Sequence, residues 1–145
     1  MRHAFSAEVE QVVGSVVAAR GFVLDETDDR PDTGGRERHV VYYRSADCKI
    51  QVYYSSREGE TNVMIAPVDA PNSFGLNTTG WRYLGRFAER PSGSLHDIAT
   101  MARREVESYA DPLEWVRDRI VRFFDVAHAG ILAMDNAGHL GGSGS

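Results

Sequence analysis

The stretch "VVYYRSADCKIQVYYSSREGETNVMIAP", residues 40–67, decides the fold of this chain. Three runs rich in β-branched and aromatic residues are separated by two short polar segments, a pattern typical of an antiparallel β-meander. We assign strands to residues 38–44, 48–54 and 63–67. Because successive side chains of a strand point to opposite faces, each Tyr-Tyr pair should place one ring on each side of the sheet.

The first polar break predicts how the first two of these strands pair. With Ala46 and Asp47 as a two-residue loop, Tyr43 lies opposite Ile50 on the core face and Tyr42 lies on the other face. Ala-Asp is not a favoured pair for such a loop, and a three-residue loop would exchange Tyr42 and Tyr43 between the faces. Either loop leaves one tyrosine of this pair facing outward.

The second break predicts the next hairpin. A turn at residues 57–60 would place Tyr54 opposite Val63 and Val52 opposite Ile65. One face of the sheet then carries an apolar set that the helices should cover: Cys48, Ile50, Val52, Tyr54, Val63 and Ile65.

The other face of the sheet is the first candidate binding surface. It mixes Lys49 and Gln51 with apolar and aromatic side chains, and tyrosine and methionine are enriched where proteins contact one another. We therefore hypothesise that Tyr42, Tyr53 and Met64 bind a protein partner. Two alternatives stay open, because tyrosine is an ordinary strand former and because the last helix or the C-terminal tail could cover this face.

The flanking segments complete an α+β fold. Apolar residues recur at helical spacing over residues 6–20, where Ser6 could cap the helix and Gly21 could end it. A short strand should follow at residues 21–26, and "WRYLGRF", residues 81–87, alternates aromatic and basic residues as a fifth strand would.

Two helices should close the chain and pack on one face of the sheet. Ser94 caps the first, which carries an apolar stripe as far as Tyr109. Asp111 followed by proline starts the second, and Gly130 should end it. We expect a single domain at residues 1–140, because "GGSGS" at residues 141–145 resembles a flexible linker.

An acidic segment after the first strand is the second candidate binding surface. It has no apolar periodicity, which predicts a mobile loop. Its carboxylates could steer association with a basic partner; they are Asp25, Glu26, Asp28, Asp29 and Asp32. Two alternatives stay open: a solvated loop that keeps the protein soluble, and calcium binding, for which the spacing of an EF-hand loop is missing.

Composition and charge argue against several classes of protein. The net charge of −5 and the pI near 5.5 argue against non-specific nucleic-acid binding, which needs a cationic surface. Cys48 is the only cysteine, so no intrachain disulfide and no cysteine-based zinc cluster is expected. No apolar run approaches the roughly 18 residues of a membrane span, and acids stand where a signal peptide needs an apolar core. These features predict a cytoplasmic protein.

The sequence holds no recognisable catalytic arrangement. Its five histidines are scattered without metal-ligand spacing, and no glycine-rich segment is followed by the lysine of a phosphate-binding loop. Ser94 and Asp97 are explained by helix capping. We therefore predict no catalytic residue, no metal, no cofactor and no enzymatic activity.

A resemblance follows from the order of the elements. The segments "RGFVLDE", "HVVYYRS", "CKIQVYYSSREGETNVMIAP" and "WRYLGRF", within residues 5–88, resemble in pattern the small bacterial immunity proteins of toxin–immunity pairs. That resemblance implies a stoichiometric inhibitor that docks on a toxin domain, and it carries no functional residue over by position. Two other classes stay open: an acidic chaperone or adaptor similar to those of secretion systems, and a small-molecule binder with a site between the sheet and the helices.

Overall fold

The computed structural model describes residues 4–74, 80–87 and 94–143, with side chains up to Met134. Five strands form one antiparallel sheet in chain order, which confirms the predicted α+β meander. The elements are α1 (Phe5–Val12), α2 (Gly14–Ala18), β1 (Val23–Asp28), β2 (Arg38–Arg44), β3 (Cys48–Ser55), β4 (Glu60–Pro67), β5 (Arg82–Tyr83), a 3-10 turn (Leu84–Phe87), α3 (Leu95–Glu107) and α4 (Pro112–Ser143).

Strands β2 and β3 pair in the register that a two-residue loop at Ala46 and Asp47 predicts. Tyr43 pairs with Ile50 and Tyr42 pairs with Gln51, as predicted. The Ser45 side chain stabilises the turn, because its hydroxyl accepts hydrogen bonds from the backbone N–H groups of Asp47 and Cys48. This side-chain bonding offsets the absence of a favoured turn pair.

The β3–β4 hairpin differs from its predicted register by two residues. Tyr54 pairs with Thr61 and Val52 pairs with Val63, so the turn occupies residues 56–59. A shift of two keeps every side chain on its predicted face, because the side-chain period of a strand is two residues. The predicted faces are therefore right although the predicted partners are wrong.

The helices and one face of the sheet enclose the larger core, which we call the helix-side core. Helix α4 lies across β3 and β4, and α1 and α2 pack beside it. Its fully buried residues include valines of α1 and α2, the inward residues of the central strands and one side of α4: Val9, Val17, Val41, Tyr43, Ile50, Val52, Val63, Ile65, Val116 and Ile120.

The N-terminal helical segment is interrupted, which the valine periodicity did not predict. Helix α1 ends at Val12, and α2 resumes at Gly14. The residue preceding α1 is Ala4, which makes no side-chain cap, so the expected cap at Ser6 is wrong. Gly21 has φ of +87°, the left-handed conformation predicted for the residue that ends this segment.

The caps of the last two helices are as predicted. The Ser94 hydroxyl accepts from the Asp97 N–H at 3.1 Å, and the Asp111 carboxylate accepts from the Leu113 N–H at 2.9 Å. Helix α3 has no fully buried residue. It meets the helix-side core through Val106 and through Tyr109, just beyond its end.

Helix α4 does not end at Gly130, because it continues to Ser143 and so includes the start of the expected linker. Gly130 lies where the Phe87 ring packs, and a Cβ there would clash with Phe87 Cδ1. Close packing, not helix termination, explains this glycine. Within the described ranges, no helix combines the length and the apolar character needed to cross a bilayer.

The fifth strand is shorter than predicted. Only Arg82 and Tyr83 pair with β4, and the chain then turns into the 3-10 segment. Trp81 and Leu84 are both buried, but they belong to different cores on opposite faces of the sheet. In a strand continued to residue 87, Phe87 would lie on the same face as Trp81, whereas it packs against the helix-side core.

The second face of the sheet is covered, and this corrects the first sequence hypothesis. Tyr42, Tyr53 and Met64 lie on this face, as the period-two pattern predicts, but their exposures are only 1%, 0% and 8%. The described part of the connection from β4 to β5 lies over them and contributes Ala70, Phe74 and Trp81 to a second cluster, which we call the loop-side core. The expected exposure of these side chains is therefore wrong.

Hydrogen bonds explain why the connection stays on the sheet. Lys49 Nζ donates to the Ala70 carbonyl at 2.8 Å, Gln51 Nε2 donates to the Ser73 carbonyl at 3.1 Å, and Trp81 Nε1 donates to the Pro71 carbonyl at 2.9 Å. Lys49 and Gln51, the two polar residues of this face, thus anchor its cover.

Candidate functional site

A cleft between the sheet and the helices is the candidate site, and we call it the acidic cleft. It has a volume of about 500 Å³, within the range of ligand-binding pockets. Strands β2 to β4, the start of α1, the start of α4 and the β1–β2 connection all contribute. The lining residues are Ala4, Phe5, Glu8, Asp29, Glu37, His39, Tyr54, Thr61, Asp111, Pro112 and Leu113.

The aromatic wall of the acidic cleft follows from strand pairing. His39 near the start of β2 pairs with Tyr54 near the end of β3, so their side chains share a face. The two rings stack with centroids 6.5 Å apart. Phe5 of α1 also stacks with His39, with centroids 5.7 Å apart, so the imidazole contacts two aromatic rings.

Two carboxylates fix the charge of His39. Its Nδ1 lies 2.8 Å from Asp29 Oδ1 and its Nε2 lies 2.8 Å from Glu37 Oε2. A neutral imidazole has only one N–H, so donation to both acceptors requires the imidazolium. Partial burial opposes the charge, but the hydrogen bonds that His39 donates to Asp29 and Glu37 outweigh it and raise the pKa of His39 above its ordinary value.

The acidic cleft carries a negative charge even with His39 protonated. Four carboxylates line it: Glu8, Asp29, Glu37 and Asp111. Counting only these four carboxylates and one imidazolium, the formal charge is −3, and no lysine or arginine is among the described lining residues. Asp111 keeps its place because the same carboxylate caps α4.

The arrangement is suited to binding a cation. Aromatic faces attract cations through their quadrupole, and carboxylates accept charge-assisted hydrogen bonds from guanidinium or ammonium groups. His39, with both nitrogens hydrogen-bonded to carboxylates, has no free lone pair with which to accept a proton. Its chemistry here is positional: it holds Asp29 and Glu37 at the rim of the cleft.

Part of the acidic segment predicted as a mobile loop belongs to β1, which continues two residues beyond the predicted end of that strand. Asp25, Glu26 and Asp28 belong to β1, and the pairing with β2 is irregular between Leu24 and Glu26. Asp25 and Glu26 are exposed, and both accept hydrogen bonds from Asn72. These two carboxylates remain on the surface, away from the residues that line the acidic cleft.

The other carboxylates of the segment have partners in the same chain. Asp28 lies 2.9 Å from Arg30 and 3.7 Å from Arg38; the hydrogen bond from Arg30 lowers the pKa of Asp28 to about 2 despite partial burial. Asp32 accepts from Arg57 at 3.1 Å and from two backbone N–H groups of its own loop. Of the five acids proposed from the sequence, only Asp29 lines the acidic cleft.

Sequence reasoning missed most of the cleft. Tyr54 was assigned to the core face of the sheet, and His39 was one of five scattered histidines. The signal available was the pairing of His39 with Tyr54, which the predicted β2–β3 register already implies. The contributions of Glu8 and Asp111 depend on how the helices dock, which no local pattern encodes.

A second group of reactive side chains lies at the opposite end of the β2–β3 hairpin. Asp47, Cys48 and His128 each present one ligand-type atom, and these three atoms lie within 4.8 Å of one another. His128 Nε2 is 3.0 Å from Asp47 Oδ2. Burial raises the pKa of the Cys48 thiol to about 11, so the sulfur is protonated at neutral pH and is a weak nucleophile.

No protein-family model matches this chain, and neither a curated protein nor a solved structure is similar enough to count as a match.

Proposed function

We propose that the protein is a non-enzymatic binding domain that docks on a basic protein partner and receives an arginine or lysine side chain of that partner in the acidic cleft. The observation that carries the proposal is the composition of the cleft, in which carboxylates surround two aromatic rings stacked on a charged histidine. A basic side chain fits such a site through cation–π contact and charge-assisted hydrogen bonds.

The charge of the whole chain supports the same class of partner. The net charge of −5 favours encounter with a basic surface. The cleft also lies at the junction of the sheet and two helices, so its rim is built on elements with fixed backbone positions. Pre-organised elements reduce the entropy lost when a partner side chain is immobilised.

The sequence hypothesis of an immunity protein is retained within this proposal, with a changed contact surface. Tyr42, Tyr53 and Met64 are buried, so the contact is transferred from the second face of the sheet to the acidic cleft. A bacterial cytoplasmic protein that neutralises a basic toxin domain by stoichiometric docking fits this arrangement. Such a partner would present the arginine or lysine that the cleft accepts.

A free small amine is the second candidate ligand. The observation that favours it is the size of the cleft, about 500 Å³, which is ordinary for small-molecule sites. The two candidates share the recognised group, an ammonium or guanidinium. They differ in whether the cation arrives on a folded partner.

The test uses two substitutions that lower the charge of the cleft without disturbing His39. Glu8 is exposed on α1, and Glu8→Gln removes its charge. Asp111→Asn removes a second charge and keeps the α4 cap, because asparagine caps helices as well as aspartate does. The double variant E8Q/D111N should therefore fold normally.

A matched control removes the same number of charges elsewhere. Glu58, in the β3–β4 turn, and Asp125, on α4, are both exposed, so E58Q/D125N reproduces the change in net charge outside the cleft. Wild type and both variants serve as baits for capture from the native host, followed by mass spectrometry. The captured partner is then titrated by calorimetry.

We expect the wild type and the control to retain a basic protein that E8Q/D111N retains weakly. Exposed ion pairs contribute about 0.2–1 kcal/mol each, so losing two should weaken binding roughly 2- to 30-fold. Equal binding by all three proteins would remove the cleft from the interface. Retention of a small amine without any protein would favour the second candidate.

A further inference from the structure

We propose that Asp47, Cys48 and His128 form a binding site for a divalent transition metal ion, with Zn²⁺ as the best match to the donor set. The site is independent of the acidic cleft. It lies at the other end of the β2–β3 hairpin. Strand β3 separates Cys48 from Tyr54, and at the usual rise per residue this corresponds to about 20 Å.

The donor atoms converge from two elements that pack against each other. Asp47 ends the β2–β3 turn, Cys48 begins β3, and His128 projects from α4. Their ligand-type atoms lie within 4.8 Å of one another. In a tetrahedral zinc site, bonds of about 2.0–2.3 Å place neighbouring donors about 3.3–3.8 Å apart, so closure needs a movement of about 1–1.5 Å.

The positions of the three side chains allow that movement. Cys48 is fully buried and fixed on the strand. The Asp47 and His128 side chains are 48% and 32% exposed, so both can rotate toward a common centre. Their present separation of 3.0–3.1 Å is a hydrogen bond, which a metal ion would replace by coordinating both groups.

The donor types decide between metal classes. One thiolate, one imidazole and one carboxylate form a mixed set of soft and borderline ligands, which suits zinc. Ca²⁺ and Mg²⁺ prefer oxygen ligands alone, and this set does not provide them. Three protein ligands leave a fourth position, and the exposure of Asp47 and His128 opens that position to solvent. Coordination would replace the proton of the Cys48 thiol.

The surrounding residues act as an outer shell for such a site. The Ser45 hydroxyl lies 3.2 Å from Asp47 Oδ1 and 3.4 Å from Cys48 Sγ, and the turn backbone is held by the Ser45 N–H bond to the Cys48 carbonyl. The His128 ring stacks on Phe124 with centroids 5.1 Å apart. Outer-shell contacts of this kind orient metal ligands.

The test titrates the protein, freed of metal by a chelator, with Co²⁺ and with Zn²⁺. Cobalt reports its own coordination, because a thiolate ligand gives a charge-transfer band in the near ultraviolet and tetrahedral geometry gives strong visible bands. Zinc affinity is measured by competition with a chromophoric chelator. We expect one ion per chain, a cobalt spectrum with thiolate character, and an increase in Tm on zinc addition.

Three variants assign the ligands. His128→Gln and Asp47→Asn change partly exposed side chains and should leave the fold intact, whereas Cys48→Ala alters a buried position and is checked by circular dichroism. Each should lose at least the roughly 10- to 100-fold in zinc affinity that accompanies removal of an outer-shell partner. H128Q and C48A should also abolish the cobalt charge-transfer band.

Two controls separate this site from other groups. His96→Gln changes an exposed histidine on α3, and His39→Gln changes the acidic cleft; neither should weaken zinc binding. Absence of stoichiometric binding would overturn the proposal. Binding that is unchanged in H128Q and C48A, or that is lost in H39Q, would overturn it equally, and neither result would alter the partner test of the acidic cleft.

Discussion

Replacing Tyr53 by alanine tests whether the second face of the sheet is a core or a contact surface. The Tyr53 side chain has 0% exposure, and its ring lies 4.5 Å from the Phe74 ring. Truncating a buried aromatic side chain to alanine costs about 3–5 kcal/mol, because the lost burial is combined with a cavity. An exposed tyrosine would cost no more than about 0.5 kcal/mol.

The expected loss can be divided between the ring and the hydroxyl. Tyr53 Oη donates to Glu60 at 3.0 Å and lies 3.1 Å from Tyr83 Oη. Tyr53→Phe removes only these bonds and should cost about 1 kcal/mol. The remaining 2–4 kcal/mol or so of the alanine effect then belongs to the ring and its contacts with the β4–β5 connection.

Urea unfolding followed by circular dichroism measures these differences, with equal slopes as the condition for comparing midpoints. For a chain of this size, the same loss should lower Tm by roughly 6–20 °C. Tyr83→Ala is the control, since Tyr83 is 44% exposed, and we expect it to cost less than about 1 kcal/mol. A Tyr53→Ala free energy of unfolding within 0.5 kcal/mol or so of wild type would refute the buried position.

Three further predictions concern His39, Gly130 and Gly21. Because its carboxylate partners raise the folded pKa of His39 above the ordinary 6.5, its stabilising contribution is present below that pH and is lost as pH rises through the folded pKa; unfolding at a series of pH values should show this loss in wild type and not in His39→Gln. Gly130→Ala gains about 1 kcal/mol of helix propensity, but its Cβ would clash with the Phe87 ring, so we expect a net loss of up to about 2 kcal/mol. A variant more stable than wild type would contradict the packing. Gly21→Ala meets open space at φ of +87°, so backbone strain alone should cost about 1–2 kcal/mol, and a thermal melt equal to that of wild type would show that the helix end is not left-handed.

The β2–β3 hairpin shows how far the sequence alone could predict this fold. The alternation in "VVYYRSADCKIQVYY" is a property of neighbouring residues, and it assigned Tyr43 and Tyr42 to opposite faces correctly. In the next hairpin the same alternation kept the faces right while the partners were two residues off. Period two determines which face a residue occupies, whereas the turn determines what it pairs with.

The sequence predicted some helix ends correctly and another one wrongly, for a similar reason. The caps at Ser94 and Asp111 depend on side chains next to the backbone groups that they satisfy, so the sequence predicted them. Gly130 is a helix-ending residue by local rules, yet it lies inside α4 because the Phe87 ring needs its space. A contact between residues more than forty positions apart overrides the local preference.

The sequence by itself determined the class of fold, the two faces of the central strands and the caps of the last helices, because each depends on residues that are neighbours in the chain. Only the tertiary structure decided that the second face is a core, since its cover arrives on a connection anchored by Lys49, Gln51 and Trp81. Only the docking of α1 and α4 on the sheet assembles the acidic cleft and brings His128 to Asp47. Both candidate sites combine residues that are distant in sequence. The periodicity of neighbouring residues does not predict contacts of this kind.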